Sequence, residues 1–261
     1  VDATTPVGLT LDAGAAGDVS VTGGAGLGGA LSTFAVDAAN DVDLGPVRTA
    51  GGTGPGAGDI TIGVSGSRIG GILSVVLGAG ESIASYDADP DTGGDIGLFA
   101  DDIRIEANGA GTAGSLLVDS SGGTDPAANG GTITIETAPS VGSVRSVGAY
   151  EDGLTLNSGD AATDFTGATL SNLDHLDVTA SALTIADLTL GDGGANGSVA
   201  LDVNTGGNLT LRGDVSTAGE GAASGAVALD GVGGSIVLDE DGADNDSTVT
   251  ITTDATTTDR P

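Results

Sequence analysis

Four aspartates fall within the nine residues Asp87-Ala-Asp-Pro-Asp-Thr-Gly-Gly-Asp95. Carboxylates this close together, with Gly93 and Gly94 permitting a tight wrap, suit a hard cation that takes oxygen ligands, such as Ca²⁺. Asp87, Asp89, Asp91 and Asp95 are therefore the candidate metal ligands. The spacing is not that of an EF-hand loop: counting from Asp87, the sixth residue is Thr92 rather than Gly and the twelfth is Leu98 rather than Glu. A solvated acidic turn accounts for the same residues. Asp239-Glu-Asp-Gly-Ala-Asp-Asn-Asp246 is a second, less ordered acidic loop. The Gly-Gly-x-Gly-x-Asp repeat does not occur in tandem, which argues against a calcium β-roll.

Other chemistry is thinly represented. His175 is the sole histidine, in Leu173-Asp-His-Leu-Asp177 beside a predicted strand. A zinc site or a nucleophilic triad needs partners that are mostly missing, so a surface or loop histidine is expected. Arg212-Gly213-Asp214 spells an integrin-type tripeptide. It also matches the strand-Gly-Asp pattern that recurs along the chain, and a three-letter match carries little specificity. Thr-x-Thr pairs at Thr132/Thr134 and Thr248/Thr250/Thr252 would suit an ice-binding face if aligned in ladders; isolated pairs reflect strand propensity. The glycine-rich run from Gly51 to Gly58 lacks a Lys and a following helix, so it is not a phosphate loop. No catalytic or cofactor-binding residue is assigned.

Composition narrows the choices. Of 261 residues 49 are Gly, none is Cys, Met, Trp, Lys or Gln, and 31 of the 37 acidic residues are Asp. Good helix formers are scarce and glycine is costly in helices, so turn and strand residues dominate. A hydrophobic fraction of 38% is too high for a disordered acidic tail. The core must be built from small aliphatic side chains. A net charge of −31 excludes phosphate-backbone recognition and disfavours an anionic membrane surface. Such a surface attracts cations and suits high salt, where self-repulsion is screened, so a halophilic or cation-rich setting is expected. Without cysteine there is no disulfide framework. No targeting, transmembrane or lipidation segment is visible, and the chain, opening on Val1, is expected to be cut from something longer.

The elements that position these residues repeat a short unit, apolar-x-apolar followed often by Asp, Thr, Asn or Glu. It occurs at Leu9-Thr-Leu-Asp12, Val19-Ser-Val-Thr22, Phe34-Ala-Val-Asp37, Ile60-Thr-Ile62, Ile103-Arg-Ile-Glu106, Ile133-Thr-Ile-Glu136 and Leu154-Thr-Leu-Asn157. Further copies are Leu176-Asp-Val-Thr179, Leu183-Thr-Ile185, Leu209-Thr-Leu-Arg212, Ile236-Val-Leu-Asp239 and Val249-Thr-Ile-Thr252. Alternation at period two marks strands with one buried face, and Gly, Asn or Asp flanks most units. Irregular spacing suits short strands on a coil with loops of variable length. The expected architecture is an all-β right-handed parallel β-helix, a β-solenoid over residues 1–252, with 253–261 a Thr-rich linker or exit strand. Coils of roughly 20–25 residues would give about 10–13 turns and a span of roughly 50–60 Å. Residues 141–153 interrupt the pattern and are expected to form a longer loop. A β-sandwich is the competing architecture, but its strands are usually longer and its core usually aromatic-anchored.

Gly94-Asp-Ile-Gly-Leu-Phe-Ala-Asp-Asp-Ile-Arg-Ile-Glu-Ala-Asn-Gly109, Asn129-Gly-Gly-Thr-Ile-Thr-Ile-Glu136 and Gly207-Asn-Leu-Thr-Leu-Arg-Gly-Asp-Val-Ser-Thr-Ala-Gly219 give the chain a family look. It resembles, loosely over residues 8–252, the filamentous-haemagglutinin-like and β-strand-repeat regions of giant secreted bacterial or archaeal surface proteins. The resemblance implies a right-handed parallel β-helix, export to the cell surface, and a non-catalytic structural or adhesive role as a stalk or filament subunit. Its expected partners are identical chains or neighbouring repeats end to end, and surface glycans or neighbouring cells, with no nucleic acid and no membrane insertion. A carbohydrate-active β-helix enzyme is the alternative, although such enzymes pair carboxylates with basic groups and aromatic platforms, and here aromatics are few. An ice- or mineral-binding solenoid is the third reading.

Overall fold

A segment such as Ile60-Thr-Ile62 is too short to bury an apolar face by itself and must stack on its like. In a computed structural model of the chain, the described residues are 7–28, 31–49, 58–78, 80–85, 93–107, 115–121, 130–139, 142–147, 152–166, 169–171, 173–185, 188–189, 198–203, 207–217, 227–230, 234–238 and 250–252. They form 24 strands and no helix. Coil 1 supplies β1 (Gly8–Asp12) and β2 (Val19–Val21), coil 2 β3 (Thr33–Ala38), β4 (Val42–Leu44) and β5 (Val47–Thr49), and coil 3 β6 (Ile60–Ile62), β7 (Ile69–Leu77) and β8 (Ser82–Ser85). Coil 4 supplies β9 (Ile96–Ala107) and β10 (Ser115–Asp119), coil 5 β11 (Ile133–Glu136), β12 (Ser143–Ser146) and β13 (Gly153–Asn157), and coil 6 β14 (Ala162–Thr166), β15 (Thr169–Ser171) and β16 (His175–Ala180). Coil 7 supplies β17 (Ala182–Ile185), β18 (Leu188–Thr189) and β19 (Ser198–Val203), coil 8 β20 (Leu209–Leu211), β21 (Val215–Ser216) and β22 (Val227–Asp230), and coil 9 β23 (Ile236–Leu238) and β24 (Ile251–Thr252).

Each strand pairs in parallel with its equivalent in the next coil, which generates three sheets. Sheet A runs β1-β3-β6-β9-β11-β14-β17-β20-β23. Sheet B runs β2-β4-β7-β9-β12-β15-β18-β21-β24. Sheet C runs β5-β8-β10-β13-β16-β19-β22. The long β9 turns the corner, pairing in sheet A through Ile96–Phe99 and in sheet B through Ala100–Ala107. The chain is thus an all-β parallel solenoid. Its described residues form nine coils against the 10–13 expected, because the step from coil to coil on sheet A runs from 20 to 37 residues. The long loops of coils 3 and 4 consume the difference. Eight steps of about 4.8 Å give a rod roughly 40 Å long. The interruption expected at 141–153 contains β12, where Val144 and Ser146 are buried and Arg145 faces outward; with serine as the second inward residue the strand shows no hydrophobic period.

The interior is a set of aliphatic columns. In sheet A one column reads Leu9, Phe34, Ile60, Ile96, Ile133, Thr163, Leu183, Leu209, Ile236, and from Phe34 to Leu209 no member is more than 1% exposed. Thr163 is the polar exception; its Oγ1 donates to Ser158 Oγ at 3.0 Å. At the corner from sheet C to sheet A a buried hydroxyl ladder of Thr49, Ser85, Ser120 and Ser158 donates to main-chain carbonyls, as in Thr49 Oγ1 to Gly58 O at 2.7 Å and Ser120 Oγ to Gly131 O at 2.7 Å. A side chain on Gly58 would overlap the Ser32 carbonyl of the coil below, so this corner requires glycine.

Aspartate has a recurring structural use. In a parallel coil the N–H at a corner, where a strand starts or bends, lacks a ladder acceptor and needs another partner. Here an Asp or Asn in that position of one coil accepts it from the next. Oδ1 of Asp18, Asp41, Asp59, Asp95, Asp102, Asn208 and Asp214 accepts from the main-chain N of Asp41, Ile72, Asp95, Thr132, Ser143, Ser235 and Thr250 respectively, at 2.8–3.4 Å.

Candidate functional site

The corner between sheets A and B gathers half of the chain's six arginines on coils 3 to 5. Arg68 leads into β7, Asp101 and Asp102 sit at the bend of β9, Glu136 ends β11, and Arg104 and Arg145 lie on the outer face of sheet B. Two ion clusters result. In the first, Arg68 Nη1 donates to Glu136 Oε1 at 2.6 Å and Nε to Asp101 Oδ1 at 3.4 Å. Ser65 Oγ donates to Glu136 Oε2 at 2.8 Å. Burial pushes the Glu136 carboxyl up, but the Ser65 hydroxyl, Arg68 and the Gly66 N–H together hold it below the ordinary carboxylate range. The hydrogen bond to Glu136 raises Arg68 further above its usual value, against the effect of burial. This cluster has two anions for one cation and staples three coils.

The second cluster has the opposite balance. The register sets Arg145 directly beside Arg104. Arg104 Nε donates at 3.2 Å and Arg145 Nη2 at 3.0 Å, both to Asp102 Oδ2. Ser143 donates N–H and Oγ to the other oxygen of Asp102, at 3.4 and 3.2 Å. Burial pushes Asp102 up; the Arg145 hydrogen bond and charge, the Arg104 hydrogen bond and the Ser143 N–H outweigh it, so the carboxyl stays below its ordinary value. Around them lies an open groove of about 570 Å³. Arg145 Nε is buried without a partner.

A second polar constellation lies on sheet C. His175 Nδ1 lies 3.0 Å from Asp174 Oδ2 and Nε2 lies 3.3 Å from Ser115 Oγ. The ring reaches Ser115, two coils away, because the register position between them is Gly153, where a side chain would overlap the imidazole. These are the atom types of a Ser-His-Asp triad, which sequence spacing had not joined. Ser115 Oγ is also 2.7 Å from Thr155 Oγ1, and His175 and Asp174 are 31% and 38% exposed. An exposed arrangement lacks the dry, preorganised surroundings that make a serine nucleophilic, so the contacts act as a polar latch across coils 4 to 6.

The remaining sequence candidates divide. Asp87, Asp89 and Asp91 lie outside the described residues, as do the loop Asp239–Asp246 and the segment 253–261. Asp95 is a corner cap: its Oδ1 accepts both N–H and Oγ1 of Thr132 at 2.8 Å. Asp214 of the Arg-Gly-Asp tripeptide likewise accepts the Thr250 N–H. Thr132 and Thr134 separate into a corner residue and an outward one. The outer column of sheet A reads Thr10, Ala35, Thr61, Gly97, Thr134, Asp164, Thr184, Thr210, Val237, so its threonines are interrupted, and Phe99 covers the gap at Gly97. Among the described residues no group of three metal-ligating side chains converges. No protein-family model, no curated protein and no solved structure matches this chain.

Proposed function

We propose that this chain is a non-catalytic, extracellular structural and adhesive segment, a length of a cell-surface stalk or filament that extends by adding coils end to end. The observation that carries this reading is the last coil. Ile236 and Leu238 of β23 are 49% and 55% exposed, while their register partners Leu209 and Leu211 in β20 are 0% and 1% exposed. Ile251 of β24 is 43% exposed where its partner Val215 is 2%. An apolar face and a strand edge left open in this way are templates for a further coil. A neighbouring repeat of a longer polypeptide or an identical chain supplies it. Such a head-to-tail joint need not close, so open fibres are its product. Cell-surface placement follows from the resemblance to secreted β-strand-repeat regions.

The test is mass against concentration by light scattering, for the native sequence and for Leu238→Asp. Growing, elongated particles for the native chain and a monomer for the variant are expected. A native chain that stays monomeric at high concentration overturns the proposal. Calcium, which Asp87, Asp89, Asp91 and Asp95 would hold through their carboxylates, belongs to the same reading. Thermal midpoints should rise from chelator to calcium; equal midpoints remove the ion from the account.

A further inference from the structure

The second arginine cluster is built differently from everything around it. Successive outward positions of sheet B on coils 3 to 6 are Ser74, Arg104, Arg145 and Ser171, a row of hydroxyl, two guanidiniums and hydroxyl spaced about 4.8 Å apart along the rod. Like charges directly opposed on neighbouring strands are destabilising. The two share the single carboxylate of Asp102, and Asp101, which Arg68 engages, lines the same groove. Each guanidinium carries five donors, and the described ion pairs use one from each. The unpartnered Arg145 Nε adds a cost that the fold carries at this place. Gly71 leaves the groove floor bare, and a side chain there would collide with Asn40 and Asp41 of the coil below.

We infer that this groove binds the carboxylate of a sugar acid residue within an otherwise neutral glycan. Planar guanidiniums match a carboxylate with paired N–H donors, which a lysine ammonium cannot do. Ser143 and Ser171 line the same groove and suit the hydroxyls of a saccharide, and its lining holds no aromatic residue to take a peptide side chain. The surrounding negative charge selects against polyanions, whose additional carboxylates meet Asp-rich surface. The inference rests on the adhesive reading and gives it a ligand class.

The probe is a neutral oligosaccharide ending in one glucuronate, compared with its carboxyl-reduced counterpart ending in glucose, by calorimetric titration and arginine Nε–Hε resonances. The acid form should bind about tenfold or more tightly than the reduced form, the worth of a charge-assisted hydrogen bond. Arg104→Lys and Arg145→Lys keep the charge and the fold, checked by circular dichroism, and each should weaken binding about tenfold. Arg48→Lys, on sheet C, should not. Leu238→Asp should abolish growth in mass and leave sugar binding intact, which separates this site from the stacking proposal. Equal binding of both sugars, indifference to the arginine variants, or far tighter binding of a polyglucuronate overturns the inference. So does loss of self-association in the arginine variants without loss of sugar binding, which would assign the groove to a carboxylate of a second copy.

Discussion

Coils 8 and 9 carry the same kind of strand on sheet A, Leu209-Thr-Leu211 and Ile236-Val-Leu238, in direct register. In one the apolar side chains are sealed, in the other about half exposed. The two strands share one pattern and differ in what covers them: β20 lies between two described coils, while coil 9 is the last among the described residues. In such an array stability is a sum over nearest neighbours, so a residue's energetic weight depends on its coil, and the open coil is where association has most to gain.

The largest effect that would break this comparison comes from equal truncations in the two settings. Ile62→Ala, inside coil 3, should cost about 2–5 kcal/mol in urea unfolding. Leu238→Ala in dilute solution should cost less than about 1 kcal/mol. Comparable losses would contradict the neighbour-coil account. Next come the corner caps. Asp95→Ala removes the acceptor of the Thr132 N–H and hydroxyl on an exposed corner and should cost about 0.5–1.5 kcal/mol. Asp95→Asn retains an acceptor and should cost far less, and the exposed Asp37→Ala should stay within about 0.5 kcal/mol. If Asp37 and Asp95 behave alike, the caps are incidental.

Acid should separate the two ion clusters from the remaining carboxylates. Asp102 and Glu136 are held below the ordinary range, so the folded chain binds fewer protons at these groups than the unfolded one. Their contribution is present above about pH 4 and is lost as pH falls through the folded values. Protonation elsewhere relieves self-repulsion, so the measurement is a difference: native chain against Asp102→Asn with Glu136→Gln, in urea at low salt. The native chain should lose more stability on acidification. Parallel pH curves would show that the clusters contribute nothing. The smallest effect belongs to the outer threonines. Thr61→Ala should change stability by no more than about 0.5 kcal/mol, and a larger loss would give the interrupted threonine column a role in the sheet.

The strands were legible because units such as Ile133-Thr-Ile135 and Leu154-Thr-Leu156 declare a buried face within three residues. The all-β solenoid follows from those units and the missing helix formers. Strands with one inward apolar residue, such as that around Val144, carry no hydrophobic period and stay invisible until a neighbour fixes their register. The coil number was overestimated because loop length is not encoded in the strand pattern. The caps had a visible signal, an Asx immediately before a strand, in Asp18-Val19, Asp59-Ile60, Asp95-Ile96 and Asn208-Leu209. Asp95 carries this signal as well as its place in the acidic run from Asp87. Arg68, Arg104 and Arg145 lie 36 and 41 residues apart, and Ser115 lies 60 from His175. Only the register of pairing brings them together, and no local pattern announces it.

Coil 9, with its open apolar strand, is proposed to accept a further coil. Amide hydrogen exchange across Ile236–Leu238, followed from dilute to concentrated protein with Leu209–Leu211 as the internal reference, reports that step. Weak protection at Ile236–Leu238 is expected in dilute solution, rising with concentration toward that of the constantly protected Leu209–Leu211. Protection at Ile236–Leu238 that is already high in the dilute monomer, or that never changes with concentration, would contradict it.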